Sequence, residues 1–406
     1  MSRSRVSSVV VSGAILCSVT LAVAACASSG GNSSGGSGSA SSPIVIGNQA
    51  DLTGNATVGV PGNYGVQFAV QQINAHGGIN GHQIKLVTED SQGSATGGTL
   101  SVRKLLDVDH VQAIINTSTS DASVPSIPAV QAASIPYLIS AGTDPVLVQP
   151  SNTMVFITPA VSLTYASKAY VQYFAKAGYK KVAVIAAQDA LGTENEKLMK
   201  QYAPQYGVTL SAWENFAATD TDFSAQVHSA AASNPDAIFV IGDFTGNVAK
   251  AVRDAGINLP LMYDAATTDP LLIKSLGSQA EGVVSFQTQA TQLIDATTGP
   301  MATWKSEFAK AFPSPPAGVP SQFSLEGYQT TFVLAEAIKT ALAKGPLTTA
   351  AIVSALQSMK GFVLGKTDFT YAVPIGYPVT FSQTDHAGDE TVTPVVVKGG
   401  IFVPVS

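Results

Sequence analysis

The sequence predicts an α/β fold made of two doubly wound parallel-sheet lobes joined by hinge strands. Between Ile44 and about Gln287, short apolar runs alternate with longer segments in which apolar residues recur every three or four positions. Such alternation is typical of parallel strands covered by helices on both faces. The pattern ends near Pro159 and begins again at Leu163, and a chain of 406 residues is long enough for two domains.

The individual elements are predicted from the same periodicity. The spacing over Val66 to Ile73 fits one buried helix face, and Leu325 to Ala343 forms a long amphipathic pattern. Thr348 is a candidate N-cap of the helix that follows. Strands are predicted again at Val379–Phe381, Val392–Val397 and Phe402–Val403. The predicted strands before Val379 are Ile44–Ile46, Ile84–Val87, Val111–Ile115, Tyr137–Ile139, Val182–Ala186, Ala237–Ile241 and Val283–Phe286.

The two repeats of the pattern predict how the lobes divide the chain. A crossing segment is expected at about Thr158 to Ser162. The first lobe is predicted to contain residues 43–160 and 288–370, and the second lobe residues 161–287 and 371–406.

The N-terminal segment predicts export and a lipid anchor. Residues 1–25 have a basic start with Arg3 and Arg5, an apolar middle and small residues before Cys26, the layout of a signal peptide. The Val-Ala-Ala-Cys sequence resembles the bacterial lipobox, which implies lipidation of Cys26. The residues up to 42 are mostly Gly, Ser and Ala, a composition typical of a flexible tether. A signal peptide cut elsewhere, or a single spanning helix, is the alternative.

Composition excludes several classes of protein. The chain has 27 acidic and 21 basic residues, and only 12% of its residues are charged, so it offers no basic patch for nucleic acid. Its two cysteines, Cys17 and Cys26, lie in the predicted leader or at its end. We therefore expect no disulfide and no cysteine nucleophile or metal ligand in the folded body.

The sequence carries few signs of catalysis. It has no nucleophile elbow, phosphate-binding loop or dinucleotide fingerprint, so we expect no cofactor. No two histidines have metal-ligand spacing on one helix, so no metal site is predicted. A triad assembled from scattered Ser, His and Asp residues stays open as an alternative. The five histidines are His76, His82, His110, His228 and His386, the last of which is predicted to lie in a turn.

Loops that follow strands are the candidate ligand contacts. In open parallel sheets, ligands bind beyond the carboxyl ends of the strands, where loops enter helix N-termini. Here these loops are short, small and polar. They are Leu52–Asn55, Asn116–Asp121, Ser140–Pro145, Gln188–Gly192, Gly242–Thr245 and Tyr263–Ala266.

Several motifs of the chain, most of them in the first lobe, are distinctive. The most distinctive stretch is Ile73-Asn74-Ala75-His76-Gly77-Gly78-Ile79-Asn80-Gly81, followed by Glu89-Asp90-Ser91. Ser134-Ile135-Pro136, Asp222-Phe223-Ser224 and Ala280-Glu281-Gly282 match as well. With these motifs the chain resembles the periplasmic leucine/isoleucine/valine-binding protein family. The resemblance implies a type I periplasmic binding protein fold and a receptor that delivers a small amino acid, or a related carboxylate or amide, to an ABC permease.

The resemblance also implies first-lobe ligand contacts. It places a ligand carboxylate at Ser120, beside Thr119, and at Thr143, beside Ala141 and Gly142. Hydroxyls and amide groups at a helix N-terminus suit an anion on physical grounds as well. The alternative is that the hydroxyls of this loop only cap the helix that follows.

The second lobe departs from the family pattern. Leu191 stands where amino-acid receptors of this type often have an aromatic residue, and Ala265 stands where they have a carboxylate for the ligand's amino group. Asp264 is one residue earlier, so either it binds the ammonium, Asp189 or Asp243 does, or the ligand has no ammonium. Phe244 and Tyr328 complete the expected ligand set, although a core position is equally consistent with Tyr328.

The expected partners are a small solute, a membrane permease and, through the anchor, the outer face of the cell membrane. A monomer is expected. Two other classes of function are the alternatives: a sensory receptor of the same fold without a permease, and an enzyme that uses the cleft.

Overall fold

The computed structural model describes most of the chain beyond residue 40. The described residues are 41–54, 56–141, 147, 149–158, 161–217, 219–242, 246–265, 270–288, 298–314, 320–366, 368–373, 378–388 and 392–405. The predicted signal peptide and Cys26 therefore lie outside the described residues.

Twelve strands within this range form two sheets. Each of the seven strands predicted before Val379 overlaps an observed strand, which confirms those predictions. The strands are β1 (Ile44–Ala50), β2 (Ile84–Asp90), β3 (Ala113–Thr117), β4 (Tyr137–Ile139), β5 (Val155–Ile157), β6 (Lys181–Ala187), β7 (Thr209–Phe216), β8 (Ala237–Ile241), β9 (Leu261–Tyr263), β10 (Val284–Thr288), β11 (Val392–Lys398) and β12 (Ile401–Pro404).

Eleven α-helices are described between and after the strands. They are α1 (Ala56–Ala75), α2 (Ala95–Asp107), α3 (Ser120–Ala133), α4 (Leu163–Lys176), α5 (Ala190–Tyr202), α6 (Ser224–Ala232), α7 (Gly246–Asp254), α8 (Pro270–Leu276), α9 (Gly299–Ala311), α10 (Gln322–Leu342) and α11 (Thr349–Gln357). The predicted cap is confirmed, because the Thr348 side chain accepts a hydrogen bond of 3.1 Å from the Ala351 amide.

The first lobe is a parallel sheet with helices on both faces. Its strand order is β2-β1-β3-β4-β5, and every pair in it is parallel. On one face α1, α9 and α10 bury an aromatic core that includes Phe68, Trp304 and Tyr328. On the other face α2 and α3 pack over a smaller core around Leu105 and Val130. The strand order reverses direction at β1, which is the doubly wound arrangement predicted from the sequence.

The second lobe is a seven-stranded sheet in the order β12-β11-β10-β9-β8-β6-β7. The strands from β6 to β10 are parallel, and the C-terminal hairpin of β11 and β12 adds two antiparallel strands beside β10. Strands β5, β7 and β9 are absent from the predicted set. Strands β5 and β9 have only three residues each, and most residues of β7 are half-exposed, so β7 has no continuous apolar run to reveal it. The predicted strand at Val379–Phe381 is wrong, because Val379 forms only an isolated bridge with Phe362.

The C-terminal residues divide between the lobes. The sequence analysis assigns residues 371–406 to the second lobe, and β11 and β12 do lie in its sheet. However, Val379 and Phe381 are buried in the first-lobe core. His386 stacks on Phe156, and Ala387 forms a parallel bridge with Ile157 at the edge of the first sheet. We therefore propose that the first lobe extends to about Gly388.

His386 is a core residue rather than a turn residue, so that prediction is wrong. Its side chain is only 5% exposed, and its Nδ1 lies 2.8 Å from the Val155 carbonyl oxygen. Local sequence predicted a turn because Thr384, Asp385 and Gly388 are typical turn residues. Contact with β5, more than two hundred positions away in sequence, overrides that preference.

Candidate functional site

The loop between β3 and α3 presents polar groups at the carboxyl end of the first sheet. Thr119 is the N-cap residue of α3 by backbone geometry, but its side chain makes no capping hydrogen bond to the described residues of the helix. Ser120 opens the helix and is only 6% exposed. The Thr119 side chain therefore does not support the alternative that this loop only caps the helix. Ser120 lies buried at the positively polarised end of a helix.

A buried carboxylate fixes this loop in place. Asp51, directly after β1, is fully buried. It accepts hydrogen bonds from the Ser91 hydroxyl at 2.5 Å, the Gly93 amide at 3.1 Å and the Thr119 amide at 2.9 Å. Three donors compensate the buried charge. The Thr119 amide is consequently committed to Asp51, and its role in the site is to hold the loop.

A second polar network supports the loop from beneath. The Asn116 side chain donates to Gln49 at 2.7 Å, and its oxygen accepts from the Ser123 hydroxyl at 2.9 Å. The buried Tyr137 hydroxyl also bonds to Gln49. Burial raises the pKa of Tyr137, so this hydroxyl stays protonated. This network was not predicted from the sequence, although amide side chains inside otherwise apolar strands are a visible signal.

The next loop leaves the sheet beside the first one. The register pairs Asn116 with Ile139, and Ser140 then bonds to the Asn116 carbonyl through its amide at 2.9 Å and its hydroxyl at 3.0 Å. Ala141 is therefore adjacent to the start of the β3–α3 loop. Gly142 and Thr143 follow it directly in sequence and lie outside the described residues.

Across the cleft, the second lobe presents the start of α5. Asp189 is its N-cap and accepts a hydrogen bond of 2.7 Å from the Gly192 amide. Burial raises the pKa of Asp189 above its ordinary value. The half-buried Leu191 packs against the second-lobe core. The residues lining the cavity at this point are Asp121 from the first lobe and Gln188, Asp189, Ala190, Thr193 and Glu194 from the second.

The loop after β9 is the other second-lobe contact with the cleft. Asp264 is only 1% exposed. The pKa of Tyr170 is raised well above its ordinary value, first by burial and then by the charge of Asp264. The Ala265 amide donates to the Tyr170 hydroxyl at 3.0 Å. Asp264 is thus a buried residue and not a solvated loop residue. Phe244 and Asp243 lie outside the described residues.

Tyr328 lies in the first-lobe core, away from the strand ends. It is fully buried among aromatic residues, with ring centroids 5.8 Å from Phe68 and 5.7 Å from Trp304. Its hydroxyl donates to the Gln72 side chain at 2.6 Å. Because both its ring and its hydroxyl have partners in the core, we leave Tyr328 out of the site proposed below.

Helix α10 brings a further set of polar residues to the cleft, which the sequence analysis did not find. The Gln322 side chain donates to the Ala265 carbonyl of the second lobe at 3.4 Å. Two turns along the helix, the Thr330 hydroxyl donates to the carbonyl of Thr158, the last described residue before the crossing to the second lobe. Glu326 lies between them and is only 5% exposed. A glutamate within an otherwise core-forming helix pattern was the signal in the sequence.

Metal ligation and membrane insertion find no support in the described residues. Among them, no three His, Cys, Asp or Glu side chains are grouped closely enough to hold a metal ion. Their helices also include none with the length and apolar character of a membrane span.

The fold and the site together define a class of protein. Two α/β lobes face each other, and buried polar groups gather where the strands of the first sheet end, which is the arrangement of a two-lobed binding protein. Residues 43–400 match the model of the periplasmic binding protein family, and the chain therefore belongs to that family. This confirms the resemblance inferred from the first-lobe motifs.

Relatives of known sequence are named as binding proteins. An amino acid binding protein from Pseudomonas aeruginosa is 28% identical over 246 residues, which span 59% of this chain and 65% of that protein. A Leu/Ile/Val-binding protein homolog from Brucella melitensis is 24% identical over 75% of this chain and 80% of its own length.

Solved structures confirm the type I fold. A periplasmic binding protein type 1 from Bordetella pertussis has a TM-score of 0.76 and 23% identity, covering 89% of this chain and 100% of that chain. A branched-chain amino acid transporter substrate binding protein from Streptococcus pneumoniae, in complex with isoleucine, has a TM-score of 0.74 and 22% identity, with the same coverage.

Proposed function

We propose that this protein is the extracytoplasmic solute-binding receptor of an ABC importer and that it binds a small amino acid, or a related carboxylate or amide, between its lobes. The observation that carries the proposal is the buried, preorganised β3–α3 loop, with Ser120 at a helix N-terminus and Asp51 holding Thr119 in place. Relatives named as amino acid and Leu/Ile/Val-binding proteins support the class of ligand.

In this proposal the first lobe binds the carboxylate. Ser120 and Thr143 donate their hydroxyls to it, and the start of α3 supplies a favourable dipole. Residues Ser118 to Ser120 and Ala141 to Thr143 follow neighbouring parallel strands at one edge of the sheet, which supports a shared subsite. The other proposed contacts are Thr119, Ala141, Gly142, Leu191, Phe244 and Asp264.

The second lobe closes over the bound solute by hinge motion. Closure removes water from the solute and strengthens its hydrogen bonds, and the solute favours the closed form only to the extent that it binds that form better. The chain passes from one lobe to the other three times, after β5, after β10 and before β11, which supports a hinge.

The receptor is retained at the membrane by its N-terminus in this proposal. Lipidation of Cys26 with two acyl chains gives stable anchoring, whereas one chain holds only weakly. The tether up to residue 42 then lets the two-lobed body reach a permease. Radiolabelled fatty acid incorporated by wild type but not by Cys26→Ser tests this part of the proposal.

The receptor performs no chemistry on its solute. A thermal-shift screen of the purified body, from residue 43, across branched, aromatic and acidic amino acids, short amides, urea and simple carboxylates tests the binding function. A solute that binds only the folded state raises its melting temperature by mass action. We expect one chemical group of hits and, for those hits, unchanged solute after prolonged incubation. Consumption of the solute would establish an enzyme instead, and an absence of hits would refute the proposed ligand class.

A further inference from the structure

One face of the largely buried helix α10 carries three polar residues. In an α-helix each residue turns by about 100°, so residues four apart share a face. Gln322, Glu326 and Thr330 therefore project in neighbouring directions. Gln322 contacts the second lobe at Ala265, and Thr330 contacts Thr158 at the start of the crossing. Glu326 lies between these two contacting residues on the same helix face.

The same helical turn is packed close to the proposed carboxylate subsite. A Cβ added to Gly327 would lie 2.3 Å from the Gly62 carbonyl oxygen, and one added to Gly62 would lie 2.7 Å from the Thr117 Cβ. Only glycine permits these approaches. The backbone of residue 327 is thus separated from the end of β3 by a single glycine of α1, and Ser120 is three residues beyond Thr117.

The Glu326 carboxyl is buried without compensation. Its residue is 5% exposed, and within the described structure neither a hydrogen bond nor a neighbouring charge offsets the burial. Burial raises the pKa of Glu326 well above its ordinary value. An uncompensated buried carboxyl destabilises a fold, so its presence at this position calls for a partner that arrives from outside the protein.

Other buried polar atoms surround this face. Both polar atoms of the Gln329 side chain and the Thr158 hydroxyl have no hydrogen-bond partner among the described residues, although both residues are at most 1% exposed. A cluster of unpaired polar atoms at a cleft is typical of a site that is completed by a polar ligand.

We propose that Glu326 binds the ammonium group of the solute and so selects amino acids over carboxylates that lack an amino group. This inference rests on the proposed function and names the group that provides the counter-charge. It assigns that role to the first lobe, to a residue one helical turn from Gln322, whose side chain contacts Ala265. Ala265 stands where related amino-acid receptors have the carboxylate. Carboxylate and ammonium of one small ligand are then both bound by the first lobe before closure.

The second-lobe carboxylates are the competing assignments. The carboxyl of Asp189 already accepts the Gly192 amide, which caps α5. Asp264 is buried and follows β9, so a variant at this position must be measured beside the Glu326 variant.

The test compares Glu326→Gln and Asp264→Asn with wild type in the body from residue 43. The probes are the amino acid that gives the largest thermal shift and its des-amino carboxylate, such as leucine with isocaproate or valine with isovalerate. Calorimetry should give Glu326→Gln a loss of affinity for the amino acid on the order of 10- to 100-fold, with little change for the des-amino carboxylate. Glu326→Asp should recover part of the loss, because it keeps the charge.

A matched control is available on the same helix. Glu336 also has a raised pKa from burial, but it lies beside Lys339 and Asp368, about three turns from Glu326. Glu336→Gln should leave both affinities at the wild-type values. The ligand-free Glu326→Gln protein should melt at a higher temperature than wild type, because a neutral amide replaces an uncompensated carboxyl.

The outcomes separate this inference from the function on which it rests. An unchanged ratio of affinities in Glu326→Gln, or a loss of selectivity in Asp264→Asn alone, overturns the role of Glu326 while the receptor function stands. Wild-type protein that binds only solutes without an ammonium group also overturns the role of Glu326 and leaves the receptor function standing. A marked fall in the ligand-free melting temperature of Glu326→Gln makes the carboxyl structural and also overturns the role. A wild type that binds no probe of any class refutes the proposed function and this inference together.

Discussion

The two lobes share a fold but differ in what lies at the ends of their strands. In the first lobe the strand ends are polar and buried, with Gln49, Asp51 and Asn116 all fully buried. In the second lobe the central strands β6 and β8 are apolar almost throughout, and polar residues begin only in the loops. The first lobe is therefore the one built for polar recognition.

This difference has an energetic reason. A buried polar network is stable only when nearly every donor and acceptor is satisfied, and it then holds its members in one geometry. Asp51 and Asn116 meet this condition in the first lobe. Under the proposed function, a rigid first lobe binds the solute with little loss of entropy, and the second lobe contributes by excluding water. Four measurements test this division of roles.

The largest expected effect is on binding through the first lobe. Ser120→Ala combined with Thr143→Ala should weaken binding of the best solute by about 100- to 10,000-fold, since each of the two hydrogen bonds to a charged group is worth about 1.5–3 kcal/mol. Calorimetry measures the affinity, and circular dichroism checks that the fold is intact. Leu191→Ala in the second lobe should lose less. A larger loss for Leu191→Ala would reverse the comparison.

Removal of the first lobe's central carboxylate should give the next largest effect. Asp51→Ala leaves the Ser91 hydroxyl and the Gly93 and Thr119 amides without their acceptor. We expect the free energy of unfolding to fall by about 2–4 kcal/mol, measured by urea denaturation. A loss below 1 kcal/mol would mean that water replaces the carboxylate and that the loop is not held as described.

The corresponding carboxylate of the second lobe should matter less for stability. Asp189→Ala removes only the cap on the Gly192 amide, so the expected loss is about 1 kcal/mol in the same urea experiment. Asp189→Asn keeps an acceptor oxygen and should recover most of the loss. Equal losses for Asp51→Ala and Asp189→Ala would remove the contrast between the lobes.

The smallest expected effect is a pH dependence that comes from His386. Burial lowers the pKa of this residue below its ordinary value of 6.5, against the opposing effects of its bond to Val155 and the charge of Asp385. The unfolded chain therefore takes up a proton before the folded protein does. The contribution of neutral His386 to the free energy of unfolding is fully present above pH 6.5, and it declines as the pH falls toward the folded-state pKa.

His386→Gln should flatten this decline between pH 7 and 5, as seen in the urea midpoint. His228, an exposed histidine on α6 of the second lobe, provides the matched variant His228→Gln. If the decline in stability persists in His386→Gln but disappears in His228→Gln, the pH dependence comes from the second lobe, which contradicts the prediction.

Much of the fold was predictable because its signals are local. Ile44–Ile46 and Val182–Ala186 are apolar runs of strand length, and α10 has a clear helical period over Leu325 to Ala343. Such patterns record which face of an element is buried, so they determine strand and helix order. Strand β7 is half-exposed and has no continuous apolar run, so it was not predicted.

The candidate site was predictable only in part. Ser120 was identified from its motif, and the structure describes it as a buried residue at the start of α3. Tyr328 was identified by the same reasoning, but its ring packs beside Trp304 in the core. A motif specifies the position along a helix, whereas the direction of a side chain depends on what the helix packs against.

The sequence by itself therefore determined the α/β class, the family and the loops in which to look for a ligand. Only the tertiary structure decided that Asp51 is buried with three donors, that His386 belongs to the first-lobe core and that Glu326 is buried on a helix face whose neighbours Gln322 and Thr330 contact Ala265 and Thr158. The physical reason is that the cost of burying a polar group depends on partners distant in sequence, such as Thr119 for Asp51. Those partners meet only when the chain has folded.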